Sequence, residues 1–121
     1  MDLGRKITGG KYHARRKKRL FERQSQQRVV ALGNLKRKTI NMRGGHVKTI
    51  LLSANVANVL DKTGKIKRAD IKNVIETPQN RFFARENRLL KGAIIETSLG
   101  KARITNRPTQ EGCVNAVLLK E

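Results

Sequence analysis

From Lys36 onward, apolar and polar residues alternate in short runs separated by turns that contain Gly or Pro. Lys36 to Met42 (KRKTINM) ends with Ile40 and Met42 on one side and Thr39 and Asn41 on the other, a short strand. Arg43-Gly44-Gly45-His46 follows as a turn. Val47 to Leu60 is the most apolar stretch. There Ile50, Leu52, Ala54 and Val56 alternate with Leu51, Ser53, Asn55 and Ala57, which predicts one strand, although Ser53 could also cap a short helix. Asp61-Lys62-Thr63-Gly64 has the form of a hairpin connection. Lys65 to Glu76 alternates again, with Ala69, Ile71 and Ile75 facing one way and Arg68, Asp70, Lys72 and Glu76 the other.

Thr77-Pro78-Gln79-Asn80 is a turn with Pro at its second position. Gly92 to Thr97 is a short apolar strand and Ser98-Leu99-Gly100 a tight turn. Lys101 to Arg107 alternates clearly: Ala102 and Ile104 point inward, and Lys101, Arg103, Thr105 and Arg107 point outward. Pro108 to Gly112 reads as a loop, and Val114 to Leu119 as a last strand with Val114, Ala116 and Leu118 on one side. Six short strands with such turns predict an all-β fold, a small six-stranded β-barrel, over residues 31–121.

Before residue 31 this pattern fails. Leu20 to Ala31 (LFERQSQQRVVA) admits a short helix, but its apolar residues cluster at the two ends instead of recurring at helical spacing. Arg5 to Arg19 (RKITGGKYHARRKKR) contains no acid, and Ile7 and Ala14 are its only aliphatic side chains. Such a segment cannot bury enough apolar surface to offset the entropy of ordering its backbone, so alone it is expected to stay disordered. A polyanion would order it. Thr8-Gly9-Gly10 offers a bend with exposed N–H groups, Tyr12 and His13 offer flat rings, and Arg15 to Arg19 offer a run of cations, a mixture suited to looped or single-stranded RNA. Residues 1–30 are therefore expected to be a basic, RNA-threading extension of the barrel.

Charge sharpens this division. The 121 residues hold 28 Lys or Arg against 9 Asp or Glu, a formal net charge of +19. Fifteen of the cations and two of the acids fall in residues 1–48, against thirteen and seven in residues 49–121. A chain so charged repels itself until counter-charge arrives, and nucleic acid is the natural macromolecular source. No apolar stretch approaches the length of a membrane span and the basic segment lacks an interfacial helix's apolar face, so no membrane partner is expected. Met1-Asp2-Leu3-Gly4 leads into cations with no apolar core of a secretory signal. Cys113 is the single cysteine, which permits no internal disulfide and fits a reducing compartment.

The expected RNA-binding residues are Arg5, Lys6, Thr8, Gly9, Gly10, Lys11, Tyr12, His13, Arg15, Arg16, Lys17, Lys18, Arg19 and Arg23 in the extension. They continue with Lys36, Arg37, Lys38, Arg43, Gly44, Gly45 and Lys48, and with Arg81, Arg85, Arg88, Lys101, Arg103 and Arg107 on the barrel. Phe82 and Phe83 either cap an open end of the core or stack on bases. No catalysis, cofactor, metal or small-molecule substrate is expected. Cys113, His13 and His46 lie far apart in basic surroundings, neither Gly-Gly pair has the context of a phosphate-binding loop, and the acids stand singly among cations that keep them ionised.

Five segments together resemble one family: Arg5–Arg19 above, Arg43-Gly44-Gly45, KGAIIET at Lys91–Thr97, GKARITNRP at Gly100–Pro108, and VNAVL at Val114–Leu118. They resemble the archaeal and eukaryotic small-ribosomal-subunit family called S-eight-e, in its short archaeal form, across essentially the whole chain. The resemblance implies a ribosome-bound, cytoplasmic protein with a β-barrel body and a basic extension threaded into ribosomal RNA. Its partners would be small-subunit rRNA and neighbouring ribosomal proteins, with no homo-oligomer. A transient assembly factor or RNA chaperone is the first alternative and a DNA-compacting protein the second. Phosphate binding alone carries no sequence information that separates these three.

Overall fold

The computed structural model describes residues 4–13, 16–23 and 27–119. Among the described residues there are eight strands: β1 (Ala31–Leu32), β2 (Lys36–Asn41), β3 (Val47–Ala54), β4 (Val56–Leu60), β5 (Ile66–Glu76), β6 (Ile94–Thr97), β7 (Gly100–Ile104) and β8 (Asn115–Leu118). Two short helices, α1 (Arg81–Arg85) and α2 (Pro108–Glu111), interrupt them. The strands form a three-stranded sheet in the order β1-β3-β2 and a closed barrel in the order β4-β5-β6-β7-β8. Antiparallel pairing runs around the barrel until β8 closes it against β4 in parallel, with Val59 opposite Ala116. The fold is all-β as expected, but the barrel has five strands, not six, and a second sheet stands beside it.

The difference arises at Asn55. Val47 to Leu60 is not one strand: a bend at Asn55 divides it, and Asn55 gives its carbonyl to the Ile71 amide at 2.8 Å. The inward side changes with the bend. Ile50, Leu51 and Ala54 are buried before it, Ala57 and Val59 after it. One continuous segment thereby supplies the middle strand of the sheet and the first strand of the barrel.

A similar change corrects the reading of β5. Ala69 and Ile71 are buried as expected, yet the third inward residue is Val74, and Ile75 faces solvent. The register between β5 and β6 is irregular between Ile71 and Asn73 and again between Val74 and Glu76. An extra residue on one strand of an antiparallel pair reverses the inward parity beyond it. Three further expectations are revised. The strand from Lys101 ends at Ile104, and Arg107 instead precedes α2. Pro108–Glu111 is helical where a loop was expected, with proline at the first turn, where its missing N–H costs nothing. Leu20–Ala31 holds only a 3-10 turn at Leu20–Glu22 and β1 at its end, residues 24–26 lying outside the described part. Gly112 closes α2 at φ +70°, and a Cβ there would sit 3.1 Å from the Thr49 carbonyl oxygen, so both conformation and space require glycine.

The core consists of small and large residues set opposite one another. Ile95 faces Ala102, Ile104 faces Ala116, and Ala116 also faces Val59. All are buried. A five-stranded barrel has a narrow interior, and alanines opposite branched residues let it fill without voids.

Candidate nucleic-acid interface

The extension is not featureless. Arg5 and Lys11 bridge as an antiparallel pair, the Lys6 amide donates to the Gly10 carbonyl at 2.9 Å, and the Gly9 amide donates to the Lys6 carbonyl at 2.8 Å. The Arg5 guanidinium adds a bond to the Gly9 carbonyl at 3.1 Å. These bonds make a small hairpin whose tip is Ile7-Thr8-Gly9, with Ile7 wholly exposed. Gly9 has φ +77°, which the turn needs and a β-branched residue resists. Gly10 has no such conformation, and a Cβ there would meet nothing nearer than the Thr8 hydroxyl at 3.7 Å. The Lys6 ammonium lies 5.6 Å from the centre of the Tyr12 ring. His13 is exposed, and Arg15 lies outside the described residues.

Beyond it, the chain folds back on itself through one acid. The Arg16 guanidinium grips the Glu22 carboxylate at 3.0 and 2.8 Å, and the Arg19 amide donates to the same group at 2.9 Å. The Arg16 bond, followed by the Arg19 amide, holds the Glu22 carboxyl below its ordinary range. Lys17, Lys18 and Arg19 remain exposed. The Arg19 guanidinium sits 6.0 Å above the Phe21 ring, and Arg23 donates to the Lys18 carbonyl at 3.3 Å. Leu20 and Phe21 are themselves exposed.

Val30 anchors the root. It is fully buried, its carbonyl accepts the Leu89 amide at 2.8 Å, and two residues later Leu32 donates to the Asn87 carbonyl at 3.0 Å. With Ala31 bridging Arg88, this short antiparallel pairing fixes where the extension leaves the body.

The remaining expected residues are spread over the body. Lys36, Arg37 and Lys38 lie exposed on β2, and Arg43-Gly44-Gly45 forms the tip of the β2–β3 hairpin. Lys48 is half-buried, its ammonium bonded to the Gln110 side-chain oxygen. On α1, whose first turn is capped by the Asn80 side chain accepting from Phe82 N at 3.0 Å, Arg81 and Arg85 are exposed. Phe82 and Phe83 lie outside the core cluster. Phe82 is exposed with Arg85 5.7 Å from its ring, while half-buried Phe83 has Arg88 at 4.5 Å. Arg88 also pairs with Glu86. Lys101 and Arg103 point outward from β7, and Arg107 is exposed just before α2.

Sequence reasoning passed over Phe21, an exposed ring directly after the cation run, although an aromatic in that position was a usable signal. It also passed over Arg28 and Lys91. These two join Arg107 around a cleft of about 410 Å³ between the root of the extension and α2. No local pattern links three cations so far apart in the chain. Among the described residues no three His, Cys, Asp or Glu side chains gather as a metal site would need, and no helix is long and apolar enough to cross a membrane.

The chain is thus a small all-β protein with a cation-rich, ring-bearing extension, and comparisons with known proteins narrow the class. The profile of the family described as ribosomal protein S8e matches residues 2–119. The small ribosomal subunit protein eS8 of Methanocella arvoryzae is 45% identical over 116 residues, covering 95% of this chain and 93% of that protein. The protein of the same name from Sulfurisphaera tokodaii is 46% identical over 120 residues, covering 97% and 93%. That from Methanocorpusculum labreanum is 45% identical over 117 residues, covering 96% and 94%. The chain belongs to the ribosomal protein S8e family, whose members are structural components of the small subunit and not enzymes.

Proposed function

We propose that this protein binds and stabilises folded small-subunit ribosomal RNA, with residues 1–30 as a threading arm and residues 31–121 as the body that positions it. The observation that carries this reading is the arm itself. Every described residue from Gly4 to Val29 is exposed, the segment is dense in cations, and a hairpin and an ion-paired turn give it shape. Tyr12, His13 and Phe21 add faces on which bases can stack. Lys101 and Arg103 on β7, with Arg107, Arg81, Arg85 and Arg88, make a second and weaker contact. Neighbouring ribosomal proteins complete the surroundings on a ribosome in the cytoplasm, in keeping with the relatives' name of small ribosomal subunit protein.

The mechanism is neutralisation of phosphate charge combined with locking of RNA shape. Phosphate contacts position the protein, and stacking on irregular RNA distinguishes its site from duplex. The test is fractionation of cells that carry a tagged copy. Stoichiometric retention on mature small subunits after a high-salt wash is expected. Recovery on precursor particles alone would replace this reading with that of a transient assembly factor.

A further inference from the structure

The cleft at the root of the arm has a composition that a simple charged surface does not need. The segment entering β1 contributes Gln27 and Arg28 to its lining. Leu90 and Lys91 line it as well, together with Arg107, Pro108 and Gln110 at the start of α2. No acid lines it. Leu90 contributes apolar surface to it, and its volume falls in the range of sites that hold small ligands, about 300–1,000 Å³.

Two glutamines give the cleft polarity of a defined sense. Gln79 donates its side-chain N–H to the Lys91 carbonyl at 2.6 Å. A carbonyl only accepts, so the orientation of this amide is forced, and its oxygen is left as an acceptor. Gln110 accepts from the Lys48 ammonium, which only donates, so its NH₂ group is left as a donor. A fixed acceptor and a fixed donor in one cleft match the edge of a nucleobase, which presents both kinds of group side by side. The half-buried Leu90 side chain suits the face of the ring, and the three cations suit the phosphates on either side.

We propose that this cleft receives one unstacked nucleotide of the bound RNA. Its base lies over Leu90 with its edge toward Gln79 and Gln110, and its flanking phosphates lie at Arg28, Lys91 and Arg107. The proposal rests on the rRNA-binding reading above and adds a base-specific site to it. A free mononucleotide shares the same chemistry, so the test separates the two sources.

Small subunits reconstituted with the full-length protein are irradiated at 254 nm, digested with nuclease and protease, and mapped by mass spectrometry. A nucleotide cross-linked to the peptide containing Leu90 or Gln110 is expected. In parallel, Thr109→Trp, which fills the cleft, and Gln110→Ala, which removes the donor, are compared with the parent for binding to small-subunit rRNA. Each should weaken binding roughly tenfold or more without changing the salt dependence, since a base contact releases no counterions. Arg28→Gln should instead lower the slope of log K against log salt by about 0.7 to 0.9. Parental affinity in both cleft variants, with no cross-link to these peptides, overturns the proposal while leaving the arm's role intact. Failure of the parent itself to bind small-subunit rRNA overturns both readings. Cross-linking of a 5′-mononucleotide mixture to the cleft in the RNA-free protein, undiminished by added rRNA, would assign the cleft to a free nucleotide and overturn the RNA part.

Discussion

Arg16 and Glu22 hold each other through two hydrogen bonds, of 3.0 and 2.8 Å, so one guanidinium fork of the arm is already occupied within the protein. Glu22 is the one acid between residues 3 and 60, placed where it turns the run Arg16 to Arg19 over the 3-10 turn. It trades one possible phosphate contact for a defined shape. Glu22→Gln should release Arg16 to the RNA, steepening the salt slope of binding by about 0.7 to 0.9 while loosening residues 16–22. Titration of affinity against salt, with amide exchange of the free protein, checks both halves.

Acid should open the same turn. Because the folded Glu22 carboxyl is held below its ordinary value, first by Arg16 and then by the Arg19 amide, the turn's stabilisation is fully present above the unfolded value. It is lost only as pH falls through the lowered folded value. Asp61 behaves alike, held down chiefly by Lys67 at 2.9 Å and then by the Lys62 amide. Carboxyl-carbon NMR titrations should show both groups protonating below the ordinary carboxylate range.

The narrow barrel should tolerate enlargement poorly. Ala116 stands opposite both Val59 and Ile104, so Ala116→Leu has nowhere to expand and should cost about 1–3 kcal/mol in chemical unfolding. The neighbouring Val117 is exposed, and Val117→Thr should change stability by no more than about 0.5 kcal/mol.

The two glycines of the hairpin should separate. Gly9→Val opposes φ +77° and should abolish the turn, lowering affinity for cognate rRNA with every charge retained. Gly10→Val keeps the turn in the free protein. If it nonetheless weakens cognate binding and leaves random RNA unaffected, the RNA backbone approaches Gly10 closely. NMR of the arm and parallel binding curves read the two effects.

Removing the outward cations of β7 should leave the barrel intact. Lys101→Ala with Arg103→Ala is expected to hold the thermal midpoint and lower the salt slope of RNA binding by about 0.7 to 0.9 per contact made. A fall in stability of several kcal/mol would make them structural instead.

The class of fold was legible because alternation is a direct consequence of strand geometry, and Lys101 to Ile104 shows it unbroken, with Ala102 and Ile104 buried between exposed cations. What escaped was any change of parity along a strand. Asn55 and the irregular register of β5 reverse the inward side, and composition gives no sign of where a strand bends to change partners. The cations of the arm were equally plain in the sequence, since charge density needs no partner to be seen. Pairing does need one. That Arg16 is taken by Glu22, and that Arg28, Lys91 and Arg107 meet around one cleft, depends on how the chain returns to itself.

Closure of the barrel by β8 has a consequence for the order of events during synthesis. Until Asn115–Leu118 emerge to pair with β4 and β7, the other four barrel strands form an open sheet with two unpaired edges. The arm hairpin, ending at Lys11, leaves the synthetic machinery some 5 to 20 seconds earlier, at roughly 5–20 residues per second. The cation-rich arm is therefore made well before the strand that closes the barrel. In that interval the nascent chain is a polycation with raw sheet edges, and prompt capture by a polyanion or by a protective carrier would spare it from binding at random.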